Sequence, residues 1–99
     1  MLEQTIADAI RNRHRLTINY EPGGRTIEPH VLGYSSEGNL LLRAYQVDGA
    51  SKSGEPRHWK LFRVDRMASA NDNGDGFDGP RPLYNPDDSA MKGGIIARL

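Results

Sequence analysis

Cysteine is absent from this chain of 99 residues. That excludes a disulfide framework, a thiol nucleophile and a zinc–thiolate site. No apolar run approaches the roughly 20 residues of a membrane-spanning helix, and the N-terminus lacks the apolar core of a secretion signal. A soluble, cytoplasmic protein with no membrane association is the expectation. Lysine is scarce, three against ten arginines, and aromatic residues make up only 7%. Thirteen basic and thirteen acidic residues give a formal net charge of zero, so no global field steers the chain towards nucleic acid. The hydrophobic fraction of 36% suits one small core in a single domain. No internal repeat is present.

What is present is arginine, concentrated before residue 67, followed by an acidic stretch holding Asp72, Asp75, Asp78, Asp87 and Asp88. A planar guanidinium grips phosphate or carboxylate in a two-pronged geometry that an ammonium cannot offer. The most telling stretch is residues 58–67, HWKLFRVDRM. Apolar and charged residues alternate there with the period of a half-buried strand. Phe62 and Val64 fall on one face; Trp59, Leu61, Arg63 and Asp65 fall on the other. A face that mixes aromatic and charged groups is either solvated surface or the wall of an anion-binding cleft.

Upstream, Leu2, Ile6, Ala9 and Ile10 form one stripe of an amphipathic helix over about residues 2–13. Its acid-first, base-last order suits the helix dipole. Leu16, Ile18 and Tyr20 alternate as a strand, and Glu21, Pro22, Gly23 and Gly24 supply a turn. The next strand runs to Tyr34 through Pro29. Proline cannot donate to a ladder, so Pro29 implies an edge or a bulge. Residues 39–47 give the most apolar strand, with Leu40, Leu42 and Ala44 on a clean face and Leu41, Arg43 and Tyr45 on a mixed one. Residues 48–57 are expected to form a mobile hairpin loop, and residues 68–80 an acidic loop. Ile95, Ile96, Ala97 and Leu99 suggest a last short strand or a segment docked on the helix. Four short strands behind one helix make a mainly β domain, a small antiparallel sheet that curls, with Pro29 and Gly33 as bends.

These residues, as an ordered set, resemble the WYL domain of bacterial regulators. The resemblance runs from the N-terminal helix through Leu16-Thr17-Ile18-Asn19-Tyr20, the segment from Arg25 to Pro29, Leu42-Arg43-Ala44-Tyr45, and Leu61-Phe62-Arg63-Val64-Asp65-Arg66-Met67. The tail, with Phe77 and Arg81-Pro82-Leu83-Tyr84-Asn85-Pro86, is similar to a short stand-alone branch of that family. Leu40-Leu41-Leu42 stands where the name-giving Trp-Tyr-Leu would fall, and only the last position matches. The resemblance implies an SH3-like or Sm-like β-barrel, here over about residues 16–67, with residues 68–99 as loop and tail. It also implies a sensor module for a nucleotide, a nucleic-acid fragment or another charged effector. Larger relatives carry a helix-turn-helix segment, and none fits within these 99 residues.

The candidate ligand-binding residues are Tyr20, Arg25, His30, Arg43, Tyr45, Arg63 and Arg66. Arginines beside a tyrosine suit a phosphate with a base stacked next to it. The bland alternative is that Arg63 and Arg66 pair with Asp65 or Glu28, and that the tyrosines are core aromatics. His14, His30 and His58 have no metal-ligand spacing. Residues 72–78 have the alternating oxygens of a calcium loop but lack its closing glutamate, Leu83 standing there instead; an acidic loop is the better account. Ser51 and Ser53 have no nucleophile elbow, no acid–base pair can be named, and no phosphate-cradling glycine motif is present. No enzyme activity and no cofactor are expected. The leading reading is a regulatory module for an anionic effector such as a nucleotide or single-stranded nucleic acid. The rival is a protein–protein module that forms a homodimer or docks a separate regulator.

Overall fold

The computed structural model describes residues 2–51, 54 and 57–99. Helix α1 (Leu2–Asn12) leads into β1 (His14–Tyr20), β2 (Gly23–Tyr34), β3 (Leu40–Gly49) and β4 (His58–Arg63). A short 3-10 turn (Val64–Arg66), β5 (Ser69–Gly76) and β6 (Gly94–Arg98) follow. The hydrogen-bonded order is β4-β3-β2-β1-β5, with β6 added to the far end of β2. Every pairing is antiparallel.

The helical stripe is buried as its spacing predicts: Ile6, Ala9 and Ile10 are almost fully covered. They meet Leu16, Ile18, Ile27, Leu32, Leu42, Ala44 and Phe62 from the concave side of the sheet. An 11-residue helix is marginal in isolation, so this burial is what holds it. β2 carries the curl. Its first half pairs with β1 as far as Ile27, and its second half pairs with β6 from Val31 onward. Pro29 sits in the gap, at a bulge against β3, where its missing N–H leaves no ladder partner wanting. A second irregularity falls at Gly33, where a Cβ would meet the Gly94 carbonyl oxygen at 2.5 Å. Both expected bends are therefore present.

Among the described residues no ladder joins the two ends of the sheet, β4 and β5. The sheet is curled but not closed into the expected barrel by hydrogen bonds. Two other expectations are corrected. The strand read over residues 58–67 stops at Arg63, and Val64–Arg66 turns as a 3-10 helix; Phe62 and Val64 are nonetheless both buried. Residues 69–76, expected as loop, form β5 against β1. Its sequence, SANDNGDG, has no apolar alternation, and six of its eight positions are exposed. Main-chain hydrogen bonds to β1 hold it, helped by Ala70 packed against the core and by the side-chain contacts Thr17–Asn73 and His14–Asp72. The calcium-like stretch is thus an edge strand, in which Asp72 accepts from the Gly74 N–H at 2.7 Å and approaches His14 Nδ1 at 3.0 Å. Of the mobile loop expected over residues 48–57, Asp48 and Gly49 instead extend β3, and residues 52, 53, 55 and 56, Ser53 among them, lie outside the described residues. No helix is long and apolar enough to cross a membrane among the described residues.

Candidate functional site

Antiparallel partners share a face, so the β3–β4 register decides what the convex side of the sheet presents. Leu41 lies opposite Arg63, Arg43 opposite Leu61, and Tyr45 opposite Trp59. The mixed faces read from the two strands are therefore one surface, and Val31 and Glu28 of β2 continue it. Leu61 is 42% exposed at its edge. The tail crosses the other part of this surface without forming a strand between Gly76 and Gly94.

The tail is anchored first by an ion triad built around a buried carboxylate, its two arginines about a third exposed. Glu28 is 1% exposed, and its carboxylate accepts from Arg81 Nε at 2.7 Å, Arg81 Nη2 at 3.1 Å and Arg15 Nε at 3.0 Å. Burial pushes the Glu28 carboxyl up, but the hydrogen bonds from Arg81 and Arg15 outweigh it and leave the group below its ordinary value. Arg81 also stacks over Tyr45, with Cζ 4.6 Å from the ring centre. A cavity of about 420 Å³ opens beside the triad, lined by Arg15, Glu28, Phe77 and the chain from Asp78 to Arg81.

His30 lies next to it, fully buried among Trp59, Phe77 and Tyr84, with ring centroids 4.6, 5.8 and 5.3 Å away. Its Nδ1 is 2.7 Å from the Glu28 carbonyl oxygen, and the Arg81 N–H donates to its Nε2 at 3.1 Å. A carbonyl only accepts and a backbone N–H only donates, so the ring is neutral with its proton on Nδ1. Burial lowers the His30 pKa from its ordinary 6.5; the Glu28 carbonyl and carboxylate oppose that and the Arg81 charge assists it. The unfolded chain therefore binds a proton that the folded one refuses. His30 adds no cost above about pH 6.5, and stability falls as pH drops below that value towards the depressed one. Urea midpoints measured from pH 7.5 down to 5 should fall, and His30→Gln should flatten that fall. An equal slope in the variant would assign the effect to another group.

Arg43 is the third anchor. Its Nε and Nη2 donate to the two carboxylate oxygens of Asp88 at 2.7 and 3.3 Å. Burial raises the Asp88 pKa, but the bonds from Arg43 and from the Ala90 N–H prevail and bring it below its ordinary value. A smaller cleft of about 240 Å³ adjoins this pair, lined by Arg43, Trp59, Leu83, Tyr84, Asn85, Asp88 and Ser89. Val31 and Leu41 form its neighbouring apolar floor, covered by Met91, Ala90 and Tyr84.

The seven expected site residues divide into separate environments. Arg43, Tyr45 and Arg63 share the convex face, and His30 lies under the tail beside them. Arg63 donates to Asp65 at 2.7 and 3.1 Å in an exposed pair. Tyr20 and Arg25 face the core instead. Arg25 is 5% exposed, spends its donors on the Tyr20 and Glu21 carbonyls and on Gln46, and lies 5.2 and 5.5 Å from the Tyr20 and Phe62 ring centres. Burial lowers its pKa. The Tyr20 hydroxyl accepts from the Arg63 N–H at 3.2 Å. Arg66 is exposed in the 3-10 turn. Sequence reasoning passed over Arg15, Arg81, Trp59 and Asp88 as site residues. Trp59 could have been found, because alternation puts it on the face of Leu61 and Arg63. Among the described residues no three His, Asp or Glu side chains converge as a metal site.

Residues 2–71 match the family model of the WYL domain. No curated protein and no solved structure matches the chain. The matched region ends inside β5, so the segment that crosses the convex face lies beyond it.

Proposed function

The chain belongs to the WYL-domain family, whose members serve as regulatory, ligand-sensing modules in bacterial regulators, and on that premise we propose that it binds an anionic effector on the convex face of β3 and β4. A nucleotide or a short single strand of nucleic acid is the effector class. The observation that carries this is the placement of Arg43 and Arg63 on one face, with Trp59 and the half-exposed Leu61 between and beside them. Guanidiniums supply two-pronged contacts to phosphate, and an indole supplies a platform for a base. Arg63 is the more accessible of these two arginines: its pair with Asp65 is exposed, and such pairs are worth under about 1 kcal/mol, so a phosphate displaces the carboxylate cheaply. Arg66, exposed in the 3-10 turn that follows β4, is the further cation of this reading. Arg25 and Tyr20 support the site from the core side.

The order β4-β3-β2-β1-β5, with a strongly bent second strand, supports reading the sheet as an SH3-like or Sm-like barrel left open between its ends. Those open ends also favour the second reading. Among the described residues the outer edges of β4 and β5 have no strand partner, and a second copy or a partner strand could extend them.

A thermal-shift screen separates the two. The panel holds mononucleotides, cyclic nucleotides, short single-stranded DNA and RNA, and sulfate as a bare anion. A ligand at about a hundred times its dissociation constant adds about 2.7 kcal/mol of stability. Arg63→Ala should then weaken binding by roughly 1.5–3 kcal/mol, and rising salt should weaken it further. Unchanged affinity in Arg63→Ala would remove Arg63 from the site. No shift across the panel, with concentration-dependent dimerisation, would establish the interaction module instead.

A further inference from the structure

We infer that residues 82–91 occupy the effector site in cis, with Asp88 as a built-in anion, and that a ligand must displace this strap to bind. The inference rests on the effector-site reading above and adds its regulation and ligand class.

Three observations carry it. Asp88 engages Arg43 in the two-pronged manner of a bound oxyanion, and only 8% of its side chain is exposed. Behind the charge pair, Met91, Ala90 and Tyr84 cover Val31 and Leu41, so the strap supplies both a charged head and an apolar body. Its attachment is also suited to opening. Arg81 is tied to Glu28 and His30 at one end, and Gly93 N–H to the Tyr34 carbonyl at 2.8 Å at the other. Between them the described main-chain bonds are local, Tyr84 N–H to Arg81 O and Met91 N–H to Asp88 O, and no ladder binds the strap to the sheet. Besides the Arg43–Asp88 pair, the side-chain bonds from the strap to the rest of the described residues are Trp59 Nε1 to the Pro82 carbonyl, Tyr84 to the Leu99 carbonyl and Arg98 to the Pro86 carbonyl and Asp87; those of Asn85 to the Asp87 N–H and Asp88 to the Ala90 N–H stay within it. The segment can therefore lift between two fixed ends without breaking a strand.

The floor that the strap covers defines what replaces it. A competent ligand brings an oxyanion for Arg43 and a flat or apolar body for Val31 and Leu41. A nucleoside phosphate has both, whether as a free mononucleotide or as part of a strand, whereas sulfate can replace Asp88 but leaves the floor bare.

The test uses the full chain with fluorescent adenosine monophosphate, a fluorescent four-nucleotide oligothymidylate, and sulfate as competitor. Wild type is compared with Asp88→Asn, Arg43→Gln and Met91→Ala, the last loosening the strap without altering charge. Removing a charged competitor should tighten nucleoside-phosphate binding about tenfold in Asp88→Asn. Met91→Ala should tighten it too, Arg43→Gln should weaken it, and sulfate should compete poorly. The probe that binds tighter identifies mononucleotide or strand as the source. Affinity unchanged in both Asp88→Asn and Met91→Ala, with Arg43→Gln still weakened, would overturn the strap and leave the effector site standing. Equal affinity in all four proteins would overturn the site at Arg43 and the strap with it. Binding by none of them would overturn nucleoside phosphate as the class.

Discussion

Glu28→Ala should destabilise the protein by about 3–5 kcal/mol, the cost of breaking a buried ion pair by removing one partner. For a domain of this size that lowers the thermal midpoint by roughly 12 °C or more. The effect is large because Glu28 is almost wholly buried and is the common acceptor of two guanidiniums. Its loss leaves Arg15 and Arg81 facing one another with no charge between them. The triad also joins three parts of the chain, since Arg15 belongs to β1, Glu28 to β2 and Arg81 to the tail. Replacing all three by well-packed apolar residues should cost far less than the single change, because the desolvation of the ions is then removed as well. Urea unfolding of the single and triple variants checks both statements. A loss within about 1 kcal/mol for Glu28→Ala would mean that the triad behaves as a solvated surface pair.

Phe62→Ala should cost about 3–5 kcal/mol, the range for truncating a large buried aromatic. Phe62 is 1% exposed and pairs with Leu42 in the register of β3 and β4. Its ring meets Tyr20 edge-on at 4.9 Å and lies 5.5 Å from the Arg25 guanidinium. Truncation opens a cavity and also removes an aromatic face from a buried cation. The neighbouring Leu61→Ala should change stability by less than about 0.5 kcal/mol, because Leu61 is exposed on the opposite face. Urea midpoints for the two variants therefore test the alternation of β4 as well as the core. Similar losses at both positions would place Leu61 under a partner surface.

Much of the fold is legible in the sequence where one residue reports on its near neighbours. The stripe of Ile6, Ala9 and Ile10 marks the helix, and Leu16 with Ile18 marks β1. Pro29 marks a bulge because a missing donor must fall where no ladder needs it. β5 is not legible. Asn71, Asp72 and Asn73 bury nothing, and their strand conformation comes from the exposed edge of β1 beside them. The end of β4 at Arg63 is likewise hidden, since Val64 keeps the apolar phase of a strand while the backbone turns.

The candidate site divides in the same way. Alternation alone put Arg43 and Tyr45 together, and Arg63 on a shared face of its own strand. Joining the two strands into one surface required the register of β3 against β4. The sequence by itself determined the helix, the strand pattern, the bulge and the excess of arginine, because periodicity is set by local backbone geometry. Only the tertiary structure decided which arginines are engaged and by what. Glu28 meets Arg81 across 53 positions and Arg43 meets Asp88 across 45, and pairs so distant are chosen by chain topology and burial, which no local pattern encodes.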